Sequence, residues 1–438
     1  MNRITKVTRD VAFLPEAGPP PDSQANRSPS ATLLASCQTL WPVLHHGEIR
    51  WFMASQLLSV SGSWMTRIAV SWLVFRLTDS ALWLGIASFA GQIPVILLAP
   101  WSGRAADRCD RRRLLCLANG LASGQALSLA GLAFWGELGI ENLIGMALLR
   151  GCISALELPV RQAFLCQAAT NDSRLSAVAV DSVVINLGRL LGPSLAGLVI
   201  ALGGESSCFL IDGLSYIVPM LVLSLQPSSP VPMDAQPSRR TEPLGQVLRR
   251  AELRLPLLHL SLVSLIGLPF TVLLPALVRE TFGGGAELLG WLVAMSSLGA
   301  ILAAGLIGRP AARPFRTRLW PAALASGAFL ALLGLSDRIP VSLLAVLGAS
   351  FCLMWQIVAI TTVLQERIQE EVRGRLSACC VIAFWGVAPF GNLLGGVTTR
   401  WLPLPGVFCL AGLLCAGLAL LPLGAASRLP STKRRLVR

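Results

Sequence analysis

From Trp51 to about residue 426 the chain alternates between long apolar runs and short breaks rich in arginine. Most runs match the roughly 20 residues that a helix needs to cross a hydrocarbon core. The first half carries predicted spans at 51–75, 81–102, 114–135, 140–160, 175–202 and 207–225. The second half carries them at 255–278, 287–308, 319–336, 340–364, 376–399 and 404–426. An open strand in lipid would leave backbone groups unsatisfied, so each span is read as a helix. The predicted fold is all-α and integral to a membrane, with 12 transmembrane helices in two six-helix bundles.

The polar remainder divides the chain. Residues 1–46 are turn-rich, as at Gly18-Pro19-Pro20-Pro21, and hold no apolar core of signal-peptide type. They are read as a disordered cytoplasmic tail. The N-terminal bundle is placed at 47–225, a cytoplasmic linker at 226–254 and the C-terminal bundle at 255–426. The linker is Pro-rich and basic, with Arg239, Arg240, Arg249 and Arg250. A basic cytoplasmic tail closes the chain at 427–438.

Composition agrees with a membrane protein. The chain is 54% hydrophobic and 13% charged, against roughly 25% charged residues in ordinary soluble domains. The net charge of +13 would suggest nucleic acid in a soluble protein, but its distribution argues otherwise. Of the 36 Lys and Arg, 29 fall on one predicted face and four on the other, while Arg67, Arg150 and Arg189 lie within spans. Basic residues accumulate on the cytoplasmic side, so both termini are predicted to face the cytoplasm. The 11 cysteines lack metal-ligand spacing and read as small packing residues in a reduced setting. Neither a metal nor a cofactor is expected.

The densest basic knot is Gly103-Arg104-Ala105-Ala106-Asp107-Arg108-Cys109-Asp110-Arg111-Arg112-Arg113, between the second and third spans. The pattern G-x-x-x-D-R-x-x-R-R resembles the loop signature of the major facilitator superfamily of secondary transporters. A weaker copy lies 205 residues on, where Gly103 matches Gly308 and Arg104 matches Arg309, but Asp107 falls on Ala312. Further segments are similar to the branch containing the enterobactin exporter and related bacterial drug and siderophore efflux proteins. They are Ser63-Trp64-Met65-Thr66-Arg67-Ile68-Ala69, Leu158-Pro159-Val160-Arg161-Gln162-Ala163-Phe164, the run Asn186 to Gly197, and Arg373-Gly374-Arg375.

The resemblance implies an access latch at Gly103, Asp107, Arg108, Arg111 and Arg112. For Arg104 and Arg113 the plainer reading, that they set topology, is preferred. Gly188, Gly192, Pro193 and Gly197 resemble the fifth-helix motif of export-type members. Physically, small residues four apart let helices pack closely, and proline kinks the span.

Ionisable groups inside spans cost about 2.5–3.5 kcal/mol each near the centre, so each needs a reason. The cavity or proton-coupling candidates are Trp64, Arg67, Arg150, Asp181, Arg189 and Asp212, with Gln356 and Asn392 from the second half. Glu157 is read as solvated near a span end, and Asp181 as able to protrude. Asp212 is expected to be the least solvated acid, with Arg150 as a partner within reach. Relatives of the branch carry an acid where this chain has Ser63, which leaves the coupling acid open.

No phosphate loop, nucleophile elbow or zinc-binding H-E-x-x-H pattern occurs, and the only lysines are Lys6 and Lys433. The chain is therefore not read as an enzyme. The resemblance implies export of a small amphipathic molecule by alternating access, coupled to protons, from a monomer in the bacterial inner membrane. A lysophospholipid or other lipid is the alternative substrate, and a non-transporting receptor or scaffold the alternative class. No nucleic-acid partner is expected.

Overall fold

The computed structural model describes residues 47–168, 174–225, 251–307, 315–366, 376 and 379–420, and the statements below concern these. The N-terminal tail, the C-terminal tail, most of the linker and the Gly308–Ala312 part of the weaker loop copy lie outside them.

The first half contains α1 (Gly47–Thr78), α2 (Ala81–Arg108), α3 (Arg111–Trp135), α4 (Ile140–Ala168), α5 (Arg174–Ser215) and α6 (Ile217–Leu225). The second contains α7 (Ala251–Leu262), α8 (Leu274–Phe282), α9 (Ala286–Ile307), α10 (Phe315–Leu335), α11 (Ile339–Glu366), α12 (Ala388–Thr398) and α13 (Leu404–Gly417). Among the described residues, nine helices are long and apolar enough to cross a membrane, and Leu319–Leu335 and Leu404–Leu420 are shorter apolar helices. The chain is a multi-pass, all-helical membrane protein.

One of the nine, Ala179–Leu225, is 47 residues long and holds the fifth and sixth predicted spans. It is interrupted at Gly204, whose φ of 71° a side chain would strain. The two arms fold back on each other, since Cys208 Sγ donates to the Ala196 carbonyl at 3.9 Å. Both arms pack on the same stretch of α1. A Cβ on Gly192 would lie 2.6 Å from the Ser61 oxygen, and one on Gly62 would lie 2.8 Å from Ser215 Oγ. Glycine is what permits this backbone approach.

The seventh predicted span, 255–278, is not one continuous helix. After α7 come a widened π turn at Val263–Gly267 and a 3₁₀ turn at Leu268–Thr271, before α8 begins. Pro269 and Pro275 have no N–H to offer the helical ladder. A second π turn, Ile382–Gly386, precedes α12 and its Pro389. The two irregular segments are tied together by Ser264 Oγ, which donates to the Phe384 carbonyl at 2.6 Å.

The two halves meet along two seams. In one, α2 packs on α12: a Cβ on Gly85 would lie 2.7 Å from the Asn392 oxygen, and the Phe89 and Phe390 rings are 5.5 Å apart. In the other, α5 packs on α9, with Gly197 against Glu287 and Gly290 against the Pro193 carbonyl. Both sit toward the helix ends remote from the Gly103–Arg113 loop.

Candidate functional site

The first half places a charged cluster among α1, α4 and the two arms of α5. Trp64 is its centre. Arg67, one turn along α1, lies over the Trp64 ring at 4.6 Å, and Arg189 from α5 lies over it at 5.5 Å. Stacking of a guanidinium on indole is favourable and tolerates partial desolvation. Arg150 from α4 stacks on Tyr216 at 5.2 Å and pairs with Glu157 at 3.4 Å. Tyr216 Oη in turn shares a hydrogen bond with Ser63 Oγ at 2.6 Å.

Asp212 is 2% exposed, and its Oδ1 has no hydrogen-bond partner. Arg150, Thr66 and Ser63 are its polar surroundings. Low solvation was expected of Asp212, and this placement agrees. Arg150 was read as a partner within reach, and its charge does act on Asp212, although its ion pair at 3.4 Å is with Glu157. That corrects the reading of Glu157 as solvated, for it is 8% exposed. It lies seven residues from Arg150, two turns along one face of α4.

Asp181 is packed inside the protein as well. It is 6% exposed and its Oδ1 lies 3.7 Å from Arg161 Nε, itself buried. The predicted fourth span stopped at residue 160, whereas α4 runs to Ala168 and carries Arg161 into the packed interior.

The fifth-helix glycines divide between two jobs. Gly188 and Gly192 hold α5 against Val60, Ser61 and Trp64 of α1, while Pro193 and Gly197 form the seam with α9. Ser297 Oγ of α9 also donates to the Arg189 carbonyl at 3.1 Å, so the charged cluster borders the second half.

In the arginine loop, Asp110 caps α3 by accepting from the Arg112 and Arg113 amides. Arg111 reaches the Ala163 carbonyl and Gln167 Oε1 of α4 at 3.3 and 3.0 Å. Arg112 donates to the Ser224 carbonyl of α6 at 2.6 Å. These bonds stitch the loop to its own half of the molecule. Arg104 and Arg108 are exposed, and the Arg113 side chain is 87% exposed although paired with Asp110. The Asp107 side chain lies outside the described residues. Among the described residues, a Cβ on Gly103 would meet nothing within 4 Å, so no helix is packed against it in this conformation.

The second half places its polar candidates differently. Gln356 is fully buried, bonded to His259 Nε2 at 3.0 Å and donating to Ser326 Oγ at 3.2 Å. Asn392 sits in the α2–α12 seam and donates to Ser88 Oγ at 3.0 Å. Gln92 donates to the same hydroxyl at 2.8 Å. Sequence reasoning missed Arg161, Tyr216, His259, Gln56 and Asn119, the last two buried with both amide atoms unpartnered. Tyr216 had a signal, being the only tyrosine in the chain and lying within a predicted span.

A family model described as transmembrane secretion effector matches residues 38–436. The staphyloferrin A transporter of Staphylococcus aureus is 31% identical over 261 residues, covering 58% of this chain and 65% of that protein. The chain thus matches just under two thirds of that relative's length. The enterobactin exporter EntS of Escherichia coli is 25% identical over 391 residues, covering 86% of this chain and 91% of EntS. Among solved structures, the inward-open xylose transporter XylE of E. coli superposes with a TM-score of 0.65 at 14% identity. It covers 88% of this chain and 98% of XylE, and shares its fold.

Proposed function

Since the chain belongs to the transmembrane secretion effector family of the major facilitator superfamily, we propose that it exports a small amphipathic molecule, siderophore-like or drug-like, in exchange for protons. Such a protein moves a solute and is not an enzyme. Alternating access across the bacterial inner membrane is the mechanism, with 12 spans arranged six and six about the 226–254 linker. Both termini and the Gly103–Arg113 loop face the cytoplasm, and the protein works as a monomer in membrane lipid.

The observation that carries this reading is the charged cluster beside the α5–α9 seam, at the border of the two halves. Two bundles that rock about a mid-membrane site need polar groups at that depth and close packing at one end. Gly85, Gly197, Gly290 and Gly396 supply the close packing at the end remote from the loop. Asp107, Arg108, Arg111 and Arg112 act as the latch at the loop end in the opposite access state. Asp212 is the acid assigned to proton exchange.

Inside-out membrane vesicles containing the chain test the export reading. With a fluorescent amphipathic dye outside, acidifying the lumen should drive dye accumulation that a protonophore abolishes. Accumulation no greater than in vesicles lacking the chain would overturn it.

A further inference from the structure

Arg67 and Arg189 come from different helices yet share the Trp64 ring, at 4.6 and 5.5 Å. Arg150 is also near enough to Arg67 to repel it. Only Arg150 is compensated, by Glu157 at 3.4 Å. Among the described residues neither Arg67 nor Arg189 has a carboxylate within ion-pair distance, and the buried Arg189 Nε has no hydrogen-bond partner. Unpaired charge of one sign within a membrane span is unfavourable, and such groups generally pair with one another or face a polar cavity.

The missing partner has a definite shape. Arg67 is exposed although Met65, Thr66, Ile68 and Ala69 around it on α1 are buried, so its guanidinium opens onto a space. Guanidinium is planar and donates in a fork that fits an oxyanion with two acceptor oxygens. The Trp64 indole, which both guanidiniums touch, offers apolar surface to the rest of the ligand. Glu157 and Asp212 act on Arg150, whereas the charges that act on Arg67 are those of Arg150 and Arg189.

From this geometry we infer that Arg67, Arg189 and Trp64 form a binding site for an oxyanion, carboxylate or phosphate, on the transported molecule. This site rests on the export reading and narrows it to anionic amphiphiles. The oxyanion bridges the two arginines, while the apolar part of the ligand lies along Trp64. Carboxylate on a soluble solute and phosphate on a single-chain lipid offer the same chemistry, so the test includes both.

The probes are a dansylated dicarboxylate, its dimethyl ester, and lysophosphatidylglycerol as competitor. Binding to the purified full-length chain in a neutral detergent is followed by dansyl fluorescence. The acid should bind the wild type at least tenfold more tightly than the ester. Arg67→Gln combined with Arg189→Gln should erase that preference, while Arg104→Gln at the exposed loop keeps it. Displacement of the dicarboxylate by lysophosphatidylglycerol identifies the lipid as an occupant of the same site; lack of displacement assigns the site to soluble carboxylates. Equal binding of acid and ester by the wild type would overturn the site without recourse to any variant. An anionic amphipathic dye, assayed in vesicles as described above, reports on the export reading separately: no accumulation by the wild type counts against export and leaves the binding result standing, while equal accumulation by the wild type and the double variant counts against the site and leaves export standing.

Discussion

Gly62 and Asp212 meet where α1 crosses the second arm of α5, and a Cβ on Gly62 would lie 2.9 Å from Asp212 Oδ1. The contact holds the carboxyl in a buried pocket with Thr66 and Ser63 nearby. Gly62 stands one residue from Ser63, the position at which the family resemblance implies an acid. An acid on the facing helix thus occupies nearly the same place in the bundle.

Asp212→Asn keeps the shape of that side chain and removes its exchangeable proton. The variant should lose uphill, proton-driven accumulation by at least tenfold and retain downhill substrate exchange. Accumulation against a gradient under an imposed pH difference would remove Asp212 from the coupling step.

Gly192 should tolerate no side chain. A Cβ there would lie 2.5 Å from Trp64 Cβ and 2.6 Å from the Ser61 carbonyl oxygen, which is backbone and cannot swing away. Overpacking of this kind costs about 1–3 kcal/mol. Gly192→Ala should unfold at lower temperature in detergent and disturb Trp64, which would appear as weaker ligand binding. An unchanged melting temperature would show that α5 and α1 separate readily.

Orientation is open to a direct chemical test. Cys109 is exposed in the arginine loop. In a variant retaining Cys109 as its sole cysteine, an impermeant maleimide should label it in inside-out vesicles and not in intact cells. The reverse pattern would invert the topology.

At the end remote from that loop, burial and next the charge of Asp79 hold the Glu280 carboxyl above its ordinary range. Asp79 lies between α1 and α2, and Glu280 is on α8, so the two acids face each other across the halves. Arg76 is committed to Glu205 at 3.0 Å, and Arg279 immediately precedes Glu280 on α8. A raised carboxyl favours the closed end while protonated, and that contribution is lost as pH rises through the shifted value. Opening of this end, read from the distance between spin labels on α2 and α12, should therefore increase with pH above the ordinary carboxylate range. Glu280→Gln should flatten the dependence; an unchanged profile would exclude this pair.

Much of the architecture was legible in the apolar runs, because a helix in lipid must be long, apolar and internally bonded. The gap between the fifth and sixth predicted spans falls where the structure turns at Gly204. What the runs could not reveal was which helix faces which. The spacing of Glu157 and Arg150 allowed a pair on one face of α4, but it could not tell that the face is buried. Arg161 fell just past the predicted span end, so its pairing with Asp181 went unseen. Gln356 and Asn392 looked alike as polar residues in apolar runs. One is bonded inside its own half and the other across the seam, a distinction made only by tertiary packing. The break after Leu262 was likewise hidden, since only Ser264 and Thr271 interrupt the apolar run over Val263–Thr271.

The central claim is that a proton gradient drives solute through this chain. It is tested most directly in proteoliposomes of the purified protein, loaded with a pH-sensitive dye and given a substrate gradient without any imposed pH difference. The account predicts that substrate leaving down its gradient moves protons the opposite way, with a dye signal that Asp212→Asn abolishes. Substrate flux with no proton movement in the wild-type protein would contradict it.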